Sequence, residues 1–253
     1  KGVIKKQQEY WVNQFEGEIP VIDLPTDYIR PVVQSFEGST VIFEIAHKYT
    51  NLIKEYALQE DSTLNMVLLA IFNIFLSKIS SQEEIVVGTP IAGRKHTDLE
   101  QIIGIFVNTM ALKNHVDGQK TFRDFLQEVK ERTLEAFDNQ DYQYEDLVEQ
   151  VAVNRDTSRN PLFDVMFILQ DADSPEVEIP GLKLKPYEYE NKTAKFDLTL
   201  TVGETEEKLW CWFEYSTKLF KEETIQRFIN YFMKVISWVL EKPDVKISEI
   251  EII

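Results

Sequence analysis

Apolar positions along this chain fall into blocks of two kinds, one set with helical spacing and one with strand spacing. Met66 to Leu76 is apolar nearly all round, with Asn65 before it and Asn73 inside it. That pattern predicts a helix buried on every side rather than a surface helix, capped by Ser62 or Thr63. Thr121 caps a second long helix through about Asp138, with Phe122, Phe125, Leu126, Val129, Leu134 and Phe137 on its apolar side. Glu222 to Leu240 is amphipathic, with Ile225, Phe228, Phe232, Val235, Ile236 and Val239 in one stripe. Shorter helices are expected over Lys5 to Phe15, from a Thr50 cap to about Gln59, and up to Val151.

The remaining apolar runs read as strands: Ser39 to Ala46, Glu84 to Thr89, Ile102 to Leu112, Phe163 to Leu169, Leu182 to Glu190, Lys195 to Val202 and Lys208 to Tyr215. The last three read as a meander. Ile19 to Val33 carries Pro20, Pro25 and Pro31 and is expected to cross a surface in extended form. The tail, Lys246 to Ile253, fits an edge strand or a linker between domains. Buried helices among mostly non-alternating strands predict an α/β (α+β) two-layer sandwich, with helices covering one mixed sheet.

Composition narrows the function classes. Of 253 residues, 43% are apolar and 28% are charged, which suits one large ordered domain or two small ones. The net charge of −16 argues against a duplex or an anionic membrane as partner, since both demand clustered Lys and Arg. A single cysteine, Cys211, excludes an internal disulfide and suits the cytosol. No apolar run approaches a membrane span, and the N-terminus lacks the pattern of a signal peptide. Asn191-Lys192-Thr193 matches a glycosylation sequon, which we read as chance. A first residue of Lys1, without Met, suggests a fragment of a longer protein.

Catalytic side chains are scarce. The three histidines, His47, His96 and His115, lack metal-ligand spacing, and no nucleophile elbow, phosphate loop or dinucleotide fingerprint occurs. No metal site and no general base are expected. Polar residues do stand in unusual places. Asn108 and Thr109 interrupt an apolar strand, where a buried amide must find partners or cost about 1–3 kcal/mol. Asn108 is therefore either a satisfied core amide or a group facing a cavity and its ligand. Asn154 to Leu162 is a polar turn feeding straight into the apolar run from Phe163. Pro161 pushes Asn160 toward an extended conformation, and Asp156, Thr157 and Ser158 are suited to folding back onto their own amides. Arg155 and Arg159 stand at the mouth of the strand.

Three segments together resemble one family. Gly104-Ile105-Phe106-Val107-Asn108-Thr109, Asn139-Gln140-Asp141-Tyr142 with Glu145, and Arg155-Asp156-Thr157-Ser158-Arg159-Asn160-Pro161-Leu162 are similar to the last three core motifs of nonribosomal peptide synthetase condensation domains. Val87 to Arg94 resembles the run ahead of them. The middle motif departs at Gln143-Tyr144, where Pro-Phe is common in the family. The resemblance covers essentially the whole chain.

The resemblance implies a chloramphenicol-acetyltransferase-like lobe. Condensation domains pair two such lobes around a tunnel, and the HHxxxDG motif lies on the N-terminal lobe, upstream of Lys1. Residues 1–253 would be the C-terminal lobe: an opening helix and loop over about 1–35, a core over 36–245, and the start of a linker at 246–253. The intact family enzyme joins a donor acyl or peptidyl thioester to an acceptor aminoacyl thioester, both tethered through 4'-phosphopantetheine to carrier domains. This lobe would bind no cofactor directly and would be inactive alone, without a catalytic residue of its own. Its implied partners are the N-terminal lobe, peptidyl carrier domains and an adjacent adenylation domain.

By position in the motifs, Arg94, Arg155, Asp156 and Asn160 would brace the site, with Arg94 pairing with the absent motif's Asp. Asn108, Thr109, Gln140 and Asp141 would line the tunnel. Asp171 to Lys195 is expected to include a crossover onto the other lobe, with Lys183, Lys185, Lys192 and Lys195 available to an acidic carrier domain. Two alternatives carry the same fold: a non-catalytic domain that recruits a carrier or partner, and an epimerisation domain, against which the intact Asn160-Pro161 argues.

Overall fold

A computed structural model describes residues 2–94, 97–99, 101–151, 156–171, 182, 192–205 and 208–252. Its helices are α1 (Gly2–Gln14), α2 (His47–Gln59), α3 (Leu64–Ser80), α4 (Phe122–Asp138), α5 (Tyr144–Val151) and α6 (Glu222–Glu241). Its strands are β1 (Gly38–Ile45), β2 (Glu84–Ile91), β3 (Asn108–His115), β4 (Val165–Asp171), β5 (Leu198–Glu204) and β6 (Leu209–Ser216).

The strands form one mixed sheet in the order β1-β6-β5-β4-β2-β3. β4 runs parallel to β5 and to β2, and the other pairings are antiparallel. Helices cover the sheet. α3 packs on β2 and β4, α4 on β3, and α6 on β1. Strand periodicity explains how the layers meet. On β6, Leu209, Cys211, Phe213 and Tyr215 are buried, while Trp210, Trp212 and Glu214 between them are half-buried. The Phe213 ring meets Phe75 of α3 at 6.0 Å and Phe232 of α6 at 6.0 Å, so aromatic edges and faces join the layers.

Helix α3 is buried from Met66 through Leu76, as its all-round apolar pattern requires. Thr63 caps it, accepting a hydrogen bond from the Met66 N–H at 3.2 Å. Thr121 and Asp124 form a reciprocal capping box on α4. No single helix among the described residues is long and apolar enough to cross a membrane. Only α2 and α3 together pass such a test, as a pair bent by 110°.

Several boundaries differ from expectation. α2 begins at His47 rather than after Thr50, because β1 runs into it through Ala46 alone. Thr50 is buried inside the helix and donates to the Ile45 carbonyl at 3.1 Å. β3 begins at Asn108 rather than Ile102, and residues 102–107 form an irregular loop. The tail forms no edge strand: Ile247–Glu249 is a 3-10 turn, and Ile247, Ile250 and Ile252 are buried. Leu182 to Glu190, apart from Leu182, lies outside the described residues, as does most of the expected crossover from Asp171 to Lys195.

The proline-punctuated segment between α1 and β1 is a strap bound to the body of the fold. Ile22 and Leu24 are buried. Asp27 reaches the start of α6, where its carboxylate accepts from the Lys221 N–H at 2.8 Å and the Thr224 hydroxyl at 2.9 Å. Lys221 makes no side-chain cap of its own, so Asp27 supplies the cap from almost 200 residues away in sequence.

Candidate functional site

Asn108 joins the first two polar motifs, and Tyr144 and Phe163 link them to the third. Asn108 is 6% exposed. Its Nδ2 donates to the carbonyls of Gln140 and Tyr142, both at 2.9 Å. Its Oδ1 accepts from the Thr109 N–H at 2.8 Å and the Tyr144 N–H at 3.1 Å. Of the two readings open to this amide, the structure takes the first: every donor and acceptor is used within the fold. Thr109 follows it, half-buried on β3.

The second motif is held by α1. Trp11 Nε1 donates to the Asn139 carbonyl at 2.8 Å. Gln7 Nε2 donates to Asp141 Oδ2 at 3.1 Å, so Asp141 faces α1. The half-buried Gln140 side chain turns back to the Phe137 carbonyl at 2.7 Å.

Tyr144 then connects the second motif to the third. Its ring lies 5.4 Å from that of Phe163, which stacks on Phe196 at 5.4 Å. Burial drives the Tyr144 phenol well above its ordinary pKa, against a hydrogen bond with the Leu162 backbone, so it stays neutral. Gly88 of β2 sits beneath Phe163, where a Cβ would overlap the ring.

The third motif is described from Asp156 onward; Arg155 lies outside the described residues. Asp156 Oδ1 accepts from the Ser158 N–H at 2.8 Å and its hydroxyl at 2.7 Å, the local fold-back expected of this loop. These bonds, with Arg159 nearby, hold the Asp156 carboxyl below the usual carboxylate range. Asn160 donates through its backbone N–H to Asp164 Oδ1 at 3.1 Å, and through Nδ2 to the Lys195 carbonyl at 3.3 Å.

Beneath this loop lies an ionic cluster that the motifs do not announce. Asp164 and Asp197 are each 3% exposed. Arg159 Nη1 binds Asp164 Oδ2 at 2.5 Å and the strap's Ile22 carbonyl at 3.2 Å. Arg30, also from the strap, grips Asp197 in bidentate fashion: Nη1 meets Oδ1 at 3.0 Å and Nη2 meets Oδ2. Arg30 Nη1 also donates to the Ser158 carbonyl at 3.2 Å. Burial works against the charge on Arg30, but the hydrogen bonds and charge of Asp197 outweigh it and raise its pKa. Burial pushes the Asp197 carboxyl upward, opposed by Arg30 and reinforced by the negative charge of Asp164. Arg30 and Asp197 escaped the sequence reading because they lie outside the motifs and 167 residues apart.

Arg94 stands apart from this cluster. It donates to the Leu99 carbonyl and, at 3.2 Å, to the Gly104 carbonyl, with its guanidinium 4.2 Å from the Phe106 ring centroid. Gly93 beside it has φ +65, and a Cβ there would strike the Phe106 carbonyl. Arg94 thus ties Leu99 to the 101–106 loop, which carries the exposed Ile103 and Ile105. Among the described residues no group of three or more His, Cys, Asp or Glu is placed to hold a metal ion.

A six-stranded mixed sheet covered by helices, its polar motifs linked through Asn108, Tyr144 and Phe163 and with no metal cluster among the described residues, defines an α/β fold. The family model described as Condensation domain matches residues 1–253, and the chain belongs to that family. It is 49% identical over 98% of its length to surfactin synthase subunit 1 of Bacillus subtilis (strain 168), and 47% identical over 99% to bacitracin synthase 3 of Bacillus licheniformis. It covers only 7% and 4% of those relatives. Among solved structures, it resembles holo-AB3403, a four-domain nonribosomal peptide synthetase bound to AMP and glycine, with TM-score 0.89 and 27% identity over 98% of this chain and 20% of that one. It shares its fold with the X-domain in a complex with OxyB from teicoplanin biosynthesis, at TM-score 0.89 and 23% identity over 99% of this chain and 56% of that one.

Proposed function

We propose that residues 1–253 are the C-terminal lobe of a condensation domain that forms amide bonds within a nonribosomal peptide synthetase. A second lobe supplies the HHxxxDG motif, since no two of this chain's histidines are adjacent. The acceptor amine attacks the donor thioester carbon, the thiolate leaves, and a peptide bond forms. Both substrates arrive on the 4'-phosphopantetheine arms of carrier domains, an adenylation domain supplies the activated amino acid, and the enzyme works in the cytosol.

This lobe contributes position. Holding two tethered reactants face to face converts an encounter into an intramolecular step, which requires rigid walls. The observation that carries the reading is the convergence of the three motifs through Asn108, Tyr144 and Phe163. Asn108, Thr109, Gln140 and Asp141 brace that wall; Arg94, Asp156 and Asn160 fix the loops on either side.

The test is turnover with an aminoacyl acceptor and a peptidyl donor, each loaded on its carrier domain. The chain alone should give no peptide, and the same chain joined to a lobe carrying HHxxxDG should give it. Peptide formed by the isolated chain sinks the proposal. A partner-recruiting role is the second reading, favoured by the same fold in the X-domain complex with OxyB. It expects stable partner binding with no turnover even when both lobes are present.

A further inference from the structure

The loop from Asp156 to Asn160 folds back on itself where Asp156 Oδ1 accepts from the Ser158 N–H and hydroxyl. Its backbone closes on itself through Arg159 N–H to the Asp156 carbonyl at 3.3 Å. The rest of its position is imposed from outside, chiefly by the strap. The Thr157 hydroxyl donates to the Val32 carbonyl at 2.8 Å, and the Gln34 N–H donates to the Thr157 carbonyl at 2.9 Å. Arg30 crosses between them, binding Ser158 with one nitrogen while the fork holds Asp197. Asp197 N–H in turn donates to the Asp164 carbonyl at 2.9 Å, and Asp164 holds both Asn160 and Arg159. A planar guanidinium spans these acceptors at once; an ammonium cannot hold the same geometry. A shallow surface recess lies alongside, lined by Arg30, Gln34, Ser35, Ser158, Phe196 and Asp197.

We propose that Arg30 is a positioning residue for amide formation: through Ser158 and Asp197 it sets where the 156–160 loop presents Asn160 and Pro161 to the tethered substrates. The inference rests on the condensation reading above and adds a residue from outside the motifs. It differs from a purely structural role in what happens when both ends of the pair are removed. Replacing a buried ion pair by apolar side chains of similar volume leaves stability nearly unchanged or raises it, whereas removing one partner strands a buried charge.

The test uses the parent synthetase carrying Arg30→Met with Asp197→Leu, alongside Arg30→Lys and the surface variant Thr157→Val. Melting temperature, kcat, KM for the loaded carriers and hydrogen exchange at 157–160 are measured for each. The expected result for the double variant is a near-native melting temperature, unchanged KM, faster loop exchange and kcat down about tenfold or more, since small misplacements are costly in a positioned reaction. Arg30→Lys should fall between it and the wild type, and Thr157→Val should lower kcat about threefold at unchanged stability. If the double variant fails to fold, Thr157→Val and Arg30→Lys decide the matter. Wild-type kcat in the folded variants overturns the proposal. A wild-type synthetase that makes no peptide defeats the condensation reading instead, and loop exchange then reports on the clasp by itself.

Discussion

The ring of Phe163 lies directly over the backbone of Gly88, filling the space a side chain would occupy. Through this contact the third polar motif rests on a central strand. Phe163 also touches Tyr144 and Phe196, so one ring spaces three segments of the site.

Gly88→Ala should therefore destabilise the domain by about 1–3 kcal/mol, the usual cost of overpacking a filled core. Combining it with Phe163→Leu should recover part of that loss, because the two changes share one contact. Urea unfolding of the two single variants and the double measures the coupling. Strictly additive losses would mean that the ring is not what the new methyl meets.

Asn108→Ala removes two donors to carbonyls and one shared acceptor. We expect a loss of roughly 1–3 kcal/mol, the cost of stranding buried polar partners. Faster amide exchange should follow at Thr109 and Tyr144, whose N–H groups lose their acceptor. Unchanged exchange at Tyr144 would contradict the bridging role.

Asp27 gives a pH-dependent prediction. Slight burial opposes its charge, but bonds from the Lys221 N–H and Thr224 hydroxyl outweigh it and hold its carboxyl below the ordinary value. A folded-state pKa below the unfolded one adds stability above the unfolded pKa, and this is lost as pH falls through the folded value. Asp27→Ala should cost about 0.5–2 kcal/mol at pH 7, as loss of an N-cap does. The gap between variant and wild type should shrink below about pH 4, near the ordinary Asp pKa. A gap that persists undiminished at pH 2.5 would rule out the charge as its source.

Arg94→Lys keeps the charge but loses the fork that reaches the Leu99 and Gly104 carbonyls. The 101–106 loop should become more open to limited proteolysis, with little change in melting temperature. Equal cleavage rates in variant and wild type would show that Phe106 and Gly93 hold the loop without it.

Much of this was legible from local pattern. The buried helix α3, the capped helix α4 and the striped helix α6 follow from spacing and caps, because their determinants sit within a few residues of one another. Asn108 was recognisable as an amide in need of partners; which partners it took depended on a loop some thirty residues away. The start of β3 was misplaced because Ile102 to Val107 has strand composition, while the carbonyls of Leu99 and Gly104 are committed to Arg94. The strap was the largest omission. Its prolines and charges suggest a solvated crossing, and its anchors, Asp27 and Arg30, meet partners 197 and 167 residues further along. No periodicity encodes a contact of that range.

Those long separations bear on how the protein is made. A chain leaving the ribosome exposes the strap well before Asp197 and Thr224, which follow Arg30 and Asp27 by 167 and 197 residues. Until then Arg30 has no Asp197 carboxylate to grip and Asp27 no helix start to cap. The strap's two anchors can therefore close only once β5 and the start of α6 have been made.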